Sequence, residues 1–150
     1  MALALSIDDR ADLAEDFEFY AEVSLRIRPK EGDLIALILN RAQRYVHEMA
    51  ERQLRERGRV RIIVPKGRQQ GISTYITGRG YQKTTHRRGY RTFILTHEDE
   101  ATQNLFGMVK RYHSHCPDEL KPITGAANAN ELYFTALDSG YKVATAGGKN

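Results

Sequence analysis

Apolar residues recur at helical spacing in two stretches of the N-terminal third of the sequence. Residues 8–22, DDRADLAEDFEFYAE, predict an acidic helix that packs through three apolar side chains, Leu13, Phe17 and Tyr20. Residues 33–57 predict the longest helix, with Asp33 as its N-cap and Gly58 directly after its end. The segment RIRPKEG between the two patterns contains a proline and a glycine, so it is predicted to be a connector.

The rest of the chain alternates between short apolar runs and helical patterns. Residues 59–65, RVRIIVP, are rich in β-branched side chains and predict a strand buried in a parallel sheet. A second strand is predicted at 90–97, and helices are predicted at 72–88 and 98–115. The sequences ELYFTAL and YKVATA flank DSG, which predicts a β-hairpin with Gly140 in its turn. This order of elements predicts an α/β fold with a parallel sheet flanked by helices.

Composition places the chain among soluble globular proteins. It has 150 residues, of which 41% are hydrophobic and 28% charged, which suits one buried core and excludes a disordered chain. The first residues, MALALSIDDR, lack both the basic region of a signal peptide and the long apolar run of a membrane span. Cys116 is the only cysteine, so no intrachain disulfide can form and a reducing compartment is expected.

The charge is distributed unevenly along the chain. The net charge is −5 over residues 1–40, +11 over residues 41–91 and −2 over residues 92–150. A middle segment this basic predicts a phosphate-containing partner, either a nucleotide or a nucleic acid. The alternative is a solvated, arginine-rich helix face without a partner.

A candidate phosphate-binding loop lies within this basic segment. Residues 64–75 read VPKGRQQGISTY, whereas the common phosphate loop reads G-x-x-x-x-G-K-[ST]. Alignment on Gly71 puts Ser73 at the hydroxyl position, Ile72 at the lysine position and Lys66 at the first glycine. A strand is predicted before the loop and a helix after it, and the N–H groups at a helix N-terminus bind phosphate. An ordinary polar turn between strand and helix is the alternative.

The stretch KGRQQGIST resembles the Walker A segment of the large terminase subunits of tailed bacteriophages, the ATPase motors that package DNA. Members of this family typically carry an Arg-Gln pair ahead of the glycine, and some have the lysine at the first motif position. The matching residues here are Lys66 for the shifted lysine, Arg68 and Gln69 for the pair, Gly71 for the glycine, and Ser73 and Thr74 for the hydroxyl positions.

The resemblance implies ATP and Mg²⁺ as cofactors and assigns a role to each residue of the loop. Lys66 would bind the β and γ phosphates, Ser73 would bind Mg²⁺, and Arg68 would act in cis as an arginine finger. We count Lys66 and Arg68 as catalytic, and a structural, ion-paired Arg68 is the alternative. The implied nucleotide-binding residues are Lys66, Gly67, Arg68, Gln69, Gln70, Gly71, Ile72, Ser73 and Thr74.

An adenine contact is implied on the predicted long helix. LNRAQRYVHE resembles the adenine-recognition region of the family, whose glutamine corresponds to Gln43. A glutamine amide carries both a donor and an acceptor, so it can pair with the adenine edge. A solvent-facing glutamine on an arginine-rich helix is the alternative.

The resemblance covers about residues 25–150 and implies a truncated P-loop NTPase sheet of the ASCE type, with N-terminal helices and a C-terminal β-hairpin. Residues 1–32 would form an N-terminal helical segment with a connector, and residues 33–150 the Walker A half of the ATPase domain. The Walker B half and the nuclease domain would lie outside this sequence. We interpret Glu98, Asp99 and Glu100 as acids in the first turn of a helix, not as Walker B. We therefore expect nucleotide binding with little or no hydrolysis.

Partners are implied by the same resemblance. They are double-stranded DNA, the portal protein and the small terminase subunit. Self-association and a location in the host cytoplasm are also expected, and no membrane partner is expected.

Three other interpretations remain: an inactive remnant, another P-loop translocase of helicase-like type, and a nucleic-acid-binding module. That module would use a basic stripe formed by Arg41, Arg44, Arg52, Arg55, Arg57, Arg59 and Arg61. His113, His115 and Cys116 are not expected to share one metal ion, because neighbouring helical positions point in different directions.

Overall fold

The structure, a computed structural model, describes residues 7–65 and 67–147. The helices are α1 (Ile7–Glu15), α2 (Phe17–Ser24), α3 (Arg41–Arg57), α4 (Ile72–His86) and α5 (Asp99–His115). The strands are β1 (Arg26–Ile27), β2 (Ile35–Ala36), β3 (Arg91–Thr96), β4 (Ala126–Ala127), β5 (Glu131–Phe134) and β6 (Ser139–Thr145). The fold therefore mixes helices and strands, as the sequence predicts.

The predicted N-terminal helix is divided into α1 and α2 at Asp16. The Asp16 side chain caps α2 by accepting a hydrogen bond of 3.0 Å from the backbone N–H of Phe19. The helical pattern continues across the break, so the three apolar positions predicted to pack are all buried. These are Leu13, Phe17 and Tyr20.

The start of the long helix differs from the prediction. Asp33 is not its N-cap, because Ile35 and Ala36 form strand β2, which pairs antiparallel with β1. Helix α3 begins after Asn40, whose side chain accepts from the backbone N–H of Gln43 while the Gln43 side chain accepts from the backbone N–H of Asn40. This reciprocal capping box is a stronger start signal than Asp33. The predicted end at Gly58 is confirmed, with a left-handed φ of 65°.

Residues 59–65 do not form the predicted buried strand. No strand is assigned there, and Ile63 is 95% exposed. Helix α3 forms one hydrogen bond with the backbone of this segment: the Arg61 N–H donates to Gln53 Oε1 over 2.9 Å. Apolar β-branched residues favour a strand only when a neighbouring strand accepts their backbone hydrogen bonds. Among the described residues, none pairs with this segment.

The sheet is mixed, with strand order β3-β6-β5-β4. Only the β3–β6 pair is parallel, and it runs in register from Arg91 opposite Gly140 to Thr96 opposite Thr145. The remaining pairs are antiparallel. The parallel sheet that the sequence predicts is therefore present in part, since the C-terminal hairpin adds antiparallel strands to one side of β6.

The predicted hairpin is confirmed, but its turn lies earlier than predicted. Gly140 belongs to β6, and the connection is a short 3₁₀ helix, Thr135–Leu137, followed by Asp138 with a left-handed φ of 47°. Asp138 tolerates this conformation because its short polar side chain forms local hydrogen bonds. Its Oδ1 accepts from Tyr133 Oη over 2.6 Å and from Arg91 Nη2 over 2.9 Å.

One core connects the N-terminal helices to the sheet. Helix α4 packs close to both, because it carries glycines where its neighbours approach. A Cβ on Gly78 would lie 2.8 Å from Leu25, and a Cβ on Gly80 would lie 2.8 Å from Thr92. The Tyr141 hydroxyl from β6 donates to the Thr77 carbonyl over 3.1 Å. Helix α4, which follows the candidate loop, is thus fixed on both sides.

Within the described residues, no helix is long and apolar enough to cross a membrane.

Candidate phosphate-binding site

The loop at residues 67–71 leads directly into the N-terminus of α4. Residues 67–70 are exposed, and Gln69 adopts a left-handed φ of 61°, which is uncommon for a residue other than glycine. Gly71 has a φ of 72° and is the N-cap of α4. These two left-handed residues turn the chain sharply, and the turn ends at the first N–H groups of the helix, which have no partner within the helix. Lys66, the predicted phosphate-binding lysine, lies outside the described residues.

No side chain caps α4 within the described part of the chain. Its first-turn N–H groups therefore keep the partial positive charge that favours an anion. Ser73, the second residue of the helix, is exposed, so its hydroxyl is available to a ligand or to a metal ion bound with one. Thr74 is half-buried, and its carbonyl accepts a hydrogen bond of 3.3 Å from Tyr112 Oη.

Gln43 is attached to this loop by its side chain. Its Nε2 donates to the carbonyl oxygen of Gly71 over 2.7 Å, while its Oε1 accepts from the N–H of Asn40 over 2.9 Å. Asn40 adds a second link, since its Nδ2 donates to the carbonyl oxygen of Gln70 over 3.2 Å. Gln43 is only 3% exposed, so it is not the solvent-facing residue of the alternative interpretation. Its role at adenine stays a prediction.

Ile72, at the usual position of the lysine, belongs to the hydrophobic core and is 5% exposed. A buried apolar side chain cannot substitute for a cation near phosphates. Any positive charge at the loop must therefore come from another residue, of which Arg68 is exposed.

An apolar pocket of about 410 Å³ lies beside the loop, between α3 and residues 62–65. Its α3 wall is formed by Ala42, Tyr45, Val46 and Met49. Gly67 and Gln70 of the loop also line it, so the pocket and the loop are continuous. The size and lining are typical of a small-molecule site. Tyr45 is 66% exposed, although no motif in the sequence marks it as a site residue.

A half-buried polar network supports the wall behind the loop. His47 Nδ1 lies 3.2 Å from Tyr75 Oη and 3.2 Å from Arg79 Nη1, and Arg79 also forms an ion pair with Glu51. Burial lowers the pKa of His47, and the positive charge of Arg79 lowers it further. Burial raises the pKa of Glu51, but the hydrogen bond and charge of Arg79 outweigh this effect, so the pKa is below its usual value. The network is therefore a charged Glu51–Arg79 pair beside a neutral imidazole.

The acids after β3 lie at a helix start, as predicted. Asp99 and Glu100 are in the first turn of α5, and Glu98 is its N-cap residue. Asp99 Oδ1 accepts from Thr145 Oγ1 over 2.6 Å, which ties α5 to the end of β6.

Of the two histidines near the end of α5, His113 has structural partners. His113 Nδ1 lies 2.9 Å from Tyr81 Oη, and its Nε2 lies 2.7 Å from Thr124 Oγ1. Cys116 is buried, and burial raises the pKa of its thiol to about 11. In the two described stretches, no group of three His, Cys, Asp or Glu side chains is placed to hold a metal ion.

Comparison with known proteins does not identify the chain: no protein-family model matches it, and no curated protein sequence matches it.

Proposed function

We propose that the chain is the ATP-binding part of a phage large terminase subunit, the ATPase motor that translocates viral DNA into the procapsid. The observation that carries the proposal is the exposed loop with left-handed Gly71 at the uncapped N-terminus of α4. A loop of this shape presents consecutive N–H groups to a phosphate, which is the chemistry that the motif requires. The proposal therefore depends on the agreement between a local conformation and the motif KGRQQGIST.

The nucleotide would lie along the loop with its phosphates at the N-terminus of α4. Its base would enter the apolar pocket beside Tyr45 and Met49, which is continuous with the loop at Gln70. A pocket of about 410 Å³ suits a nucleoside, since ligand sites of this kind span roughly 300–1,000 Å³. Lys66 and Arg68 would supply the positive charge that Ile72 does not.

Ser73 is suited to Mg²⁺, because its hydroxyl is exposed beside the first-turn N–H groups that would hold the phosphates. Mg²⁺, when bound with ATP, neutralises charge on the phosphates. Activation of the attacking water needs a further acid. The acids after β3 lie at the start of α5, and Asp99 is bonded to Thr145 there. We therefore propose that this chain by itself binds nucleotide with little or no turnover.

The remaining parts of the proposal rest on the family resemblance. They are the DNA partner, the portal protein, the small terminase subunit, self-association and the host cytoplasm.

The test is a titration of the purified chain with a fluorescent ATP analogue in the presence of Mg²⁺. We expect saturable binding that Lys66→Ala and Ser73→Ala each weaken by about tenfold or more, whereas Lys30→Ala, an exposed lysine in the connector, leaves it unchanged. Tyr45→Ala should weaken binding of the analogue but not of inorganic triphosphate, because only the base reaches the pocket. Binding that is absent, or that the loop variants and Lys30→Ala affect equally, would contradict the proposal.

A further inference from the structure

A second groove lies between α4, the edge strand β3 and the residues that follow α3. It encloses about 520 Å³. Five cationic side chains line it, namely Arg59, Arg79, Lys83, Arg87 and Arg91, and no carboxylate lines it among the described residues. It is separate from the candidate phosphate-binding site, because neither the loop nor the apolar pocket contributes to it.

Among the described residues, two of the five cations have ion-pair partners and three do not. Arg79 pairs with Glu51, and Arg91 pairs with Asp138 at 2.9 Å. Within the described residues, Arg59, Lys83 and Arg87 form no ion pair. The groove therefore carries more positive charge than the protein around it neutralises.

Lys83 is the least expected of these cations, because it is only 7% exposed. A lysine side chain this enclosed normally has a hydrogen-bonded or charged partner. No described residue forms an ion pair with it, although the carboxylates of Glu51 and Glu15 are near enough to raise its pKa. Burial lowers the pKa of Lys83, and the charges of Arg87 and Arg79 lower it further. An anion in the groove would raise the pKa of Lys83 and stabilise its charged form.

The cations form a row. Arg79 and Lys83 lie four residues apart on α4, and Arg87 follows four residues later, directly after the helix ends. On the helix, Arg79 and Lys83 share one face and are separated by a rise of about 6 Å. Arg87, whose backbone is extended, lines the same groove beyond the end of the helix. A row of this kind fits an extended polyanion better than a single phosphate group.

Two aromatic side chains line the same groove. Tyr90 and Phe93 line the groove and are 38% and 59% exposed. Together with a cationic groove they match the surfaces that bind single-stranded nucleic acids, where phosphates contact the cations and bases stack on the rings.

We propose that this groove binds a single strand of nucleic acid, with its phosphates along Arg79, Lys83 and Arg87 and its bases on Tyr90 and Phe93. This inference does not depend on the proposed ATP site, since it uses none of the proposed nucleotide contacts and requires no nucleotide. It also differs from the basic stripe formed by α3 and the residues that follow it, because only Arg59 is common to both.

The test is fluorescence anisotropy with a labelled oligothymidylate of about 12 nucleotides, which is within the site size of single-strand-binding folds. Binding is measured without ATP at several salt concentrations. We expect the double variant Lys83→Met/Arg87→Ala to weaken binding by about tenfold or more. It should also reduce the slope of log affinity against log salt by about 1.4, since each neutralised phosphate contributes about 0.7. Tyr90→Ala/Phe93→Ala should weaken binding by a similar factor without changing the salt slope.

The control is Arg28→Ala/Lys30→Ala, which removes two cations from the connector and should leave binding within about twofold. Because Lys83 is buried, Arg87→Glu provides a second test at an exposed position, and Lys83→Arg should retain binding. Equal weakening by the connector variant would overturn the proposal. It would also be overturned if duplex DNA of equal length binds as tightly as the single strand, or if polyglutamate binds with the same sensitivity to these variants.

Discussion

The side-chain amide of Gln43 donates a hydrogen bond of 2.7 Å to the carbonyl oxygen of Gly71, which joins the first turn of α3 to the residue that directly precedes α4. The same amide completes the capping box of α3 through Asn40. One buried side chain therefore fixes both the start of a helix and the shape of the loop. Any movement of the loop must either break this bond or move α3 with it.

Replacement of Gln43 by alanine should destabilise both the start of α3 and the loop before α4. The variant loses the bond to Gly71 and one half of the capping box, and it leaves the Gly71 carbonyl without that donor. We expect the free energy of unfolding to fall by about 1–3 kcal/mol. Chemical denaturation followed by circular dichroism measures this loss. Gln103→Ala, at an exposed position of α5, should change stability by less than about 0.5 kcal/mol, and an equal loss in both variants would contradict the explanation.

A side chain at position 71 should be costly for two reasons. Gly71 has a left-handed φ of 72°, and a Cβ there would lie 2.7 Å from Gln43 Nε2. We expect Gly71→Ala to destabilise the protein by about 1–2 kcal/mol and to weaken nucleotide binding. Chemical denaturation and the titration with the ATP analogue measure the two effects.

Gly107→Ala is the matched control for this substitution. Gly107 lies inside α5, and a Cβ there would have no atom within 4 Å. The substitution should stabilise the protein by about 0.5–1 kcal/mol, since alanine favours a helix. The double variant Gly71→Ala/Gln43→Ala should lose less than the sum of the two single losses, because the second change removes the clash. Strict additivity would show that the two side chains do not meet.

A lysine at position 72 should not repair the loop, even though the common motif has its lysine there. Ile72 is 5% exposed and packs in the core, so Ile72→Lys would bury a charge without a partner. We expect a loss of about 2–4 kcal/mol in thermal or chemical unfolding and no gain in ATP affinity. Ile72→Val should cost about 0.5–1.5 kcal/mol. Ile76 is 44% exposed, so Ile76→Lys should cost little. A stable Ile72→Lys protein with tighter ATP binding would show that this position faces the phosphates.

Sequence-based prediction worked best where local signals decide the structure. Helix α4, strand β3 and helix α5 follow from periodicity, β-branched residues and first-turn acids such as Asp99. The prediction failed at residues 59–65, because a strand depends on a partner that a local pattern cannot supply. It also failed at the start of α3, although the letters N-R-A-Q at residues 40–43 contain a readable capping signal.

At the candidate site, too, the local features were predictable from the sequence and the tertiary contacts were not. The position of the loop ahead of α4 was readable from Gly71 and the polar residues around it. The bond from Gln43 was not, because it links residues 28 positions apart in the sequence. The burial of Ile72 and the exposure of Tyr45 depend on how α3 packs against the loop, which is a tertiary property.

Stability should fall as the pH falls from about 7.5 to about 5. Burial lowers the pKa of His47, His86 and His113 below the ordinary value of 6.5. The folded state therefore binds fewer protons than the unfolded state in this pH range. The free energy of unfolding that the neutral histidines contribute is fully present above about pH 6.5 and is lost as the pH falls through the folded pKa values. Each histidine can contribute a slope of at most about 1.4 kcal/mol per pH unit.

Chemical denaturation at several pH values measures this slope. His86→Gln should reduce it, whereas His115→Gln, at an exposed position, should not. A protein that becomes more stable towards pH 5, or whose slope is the same in both variants, would show that His86 is not buried as a neutral ring.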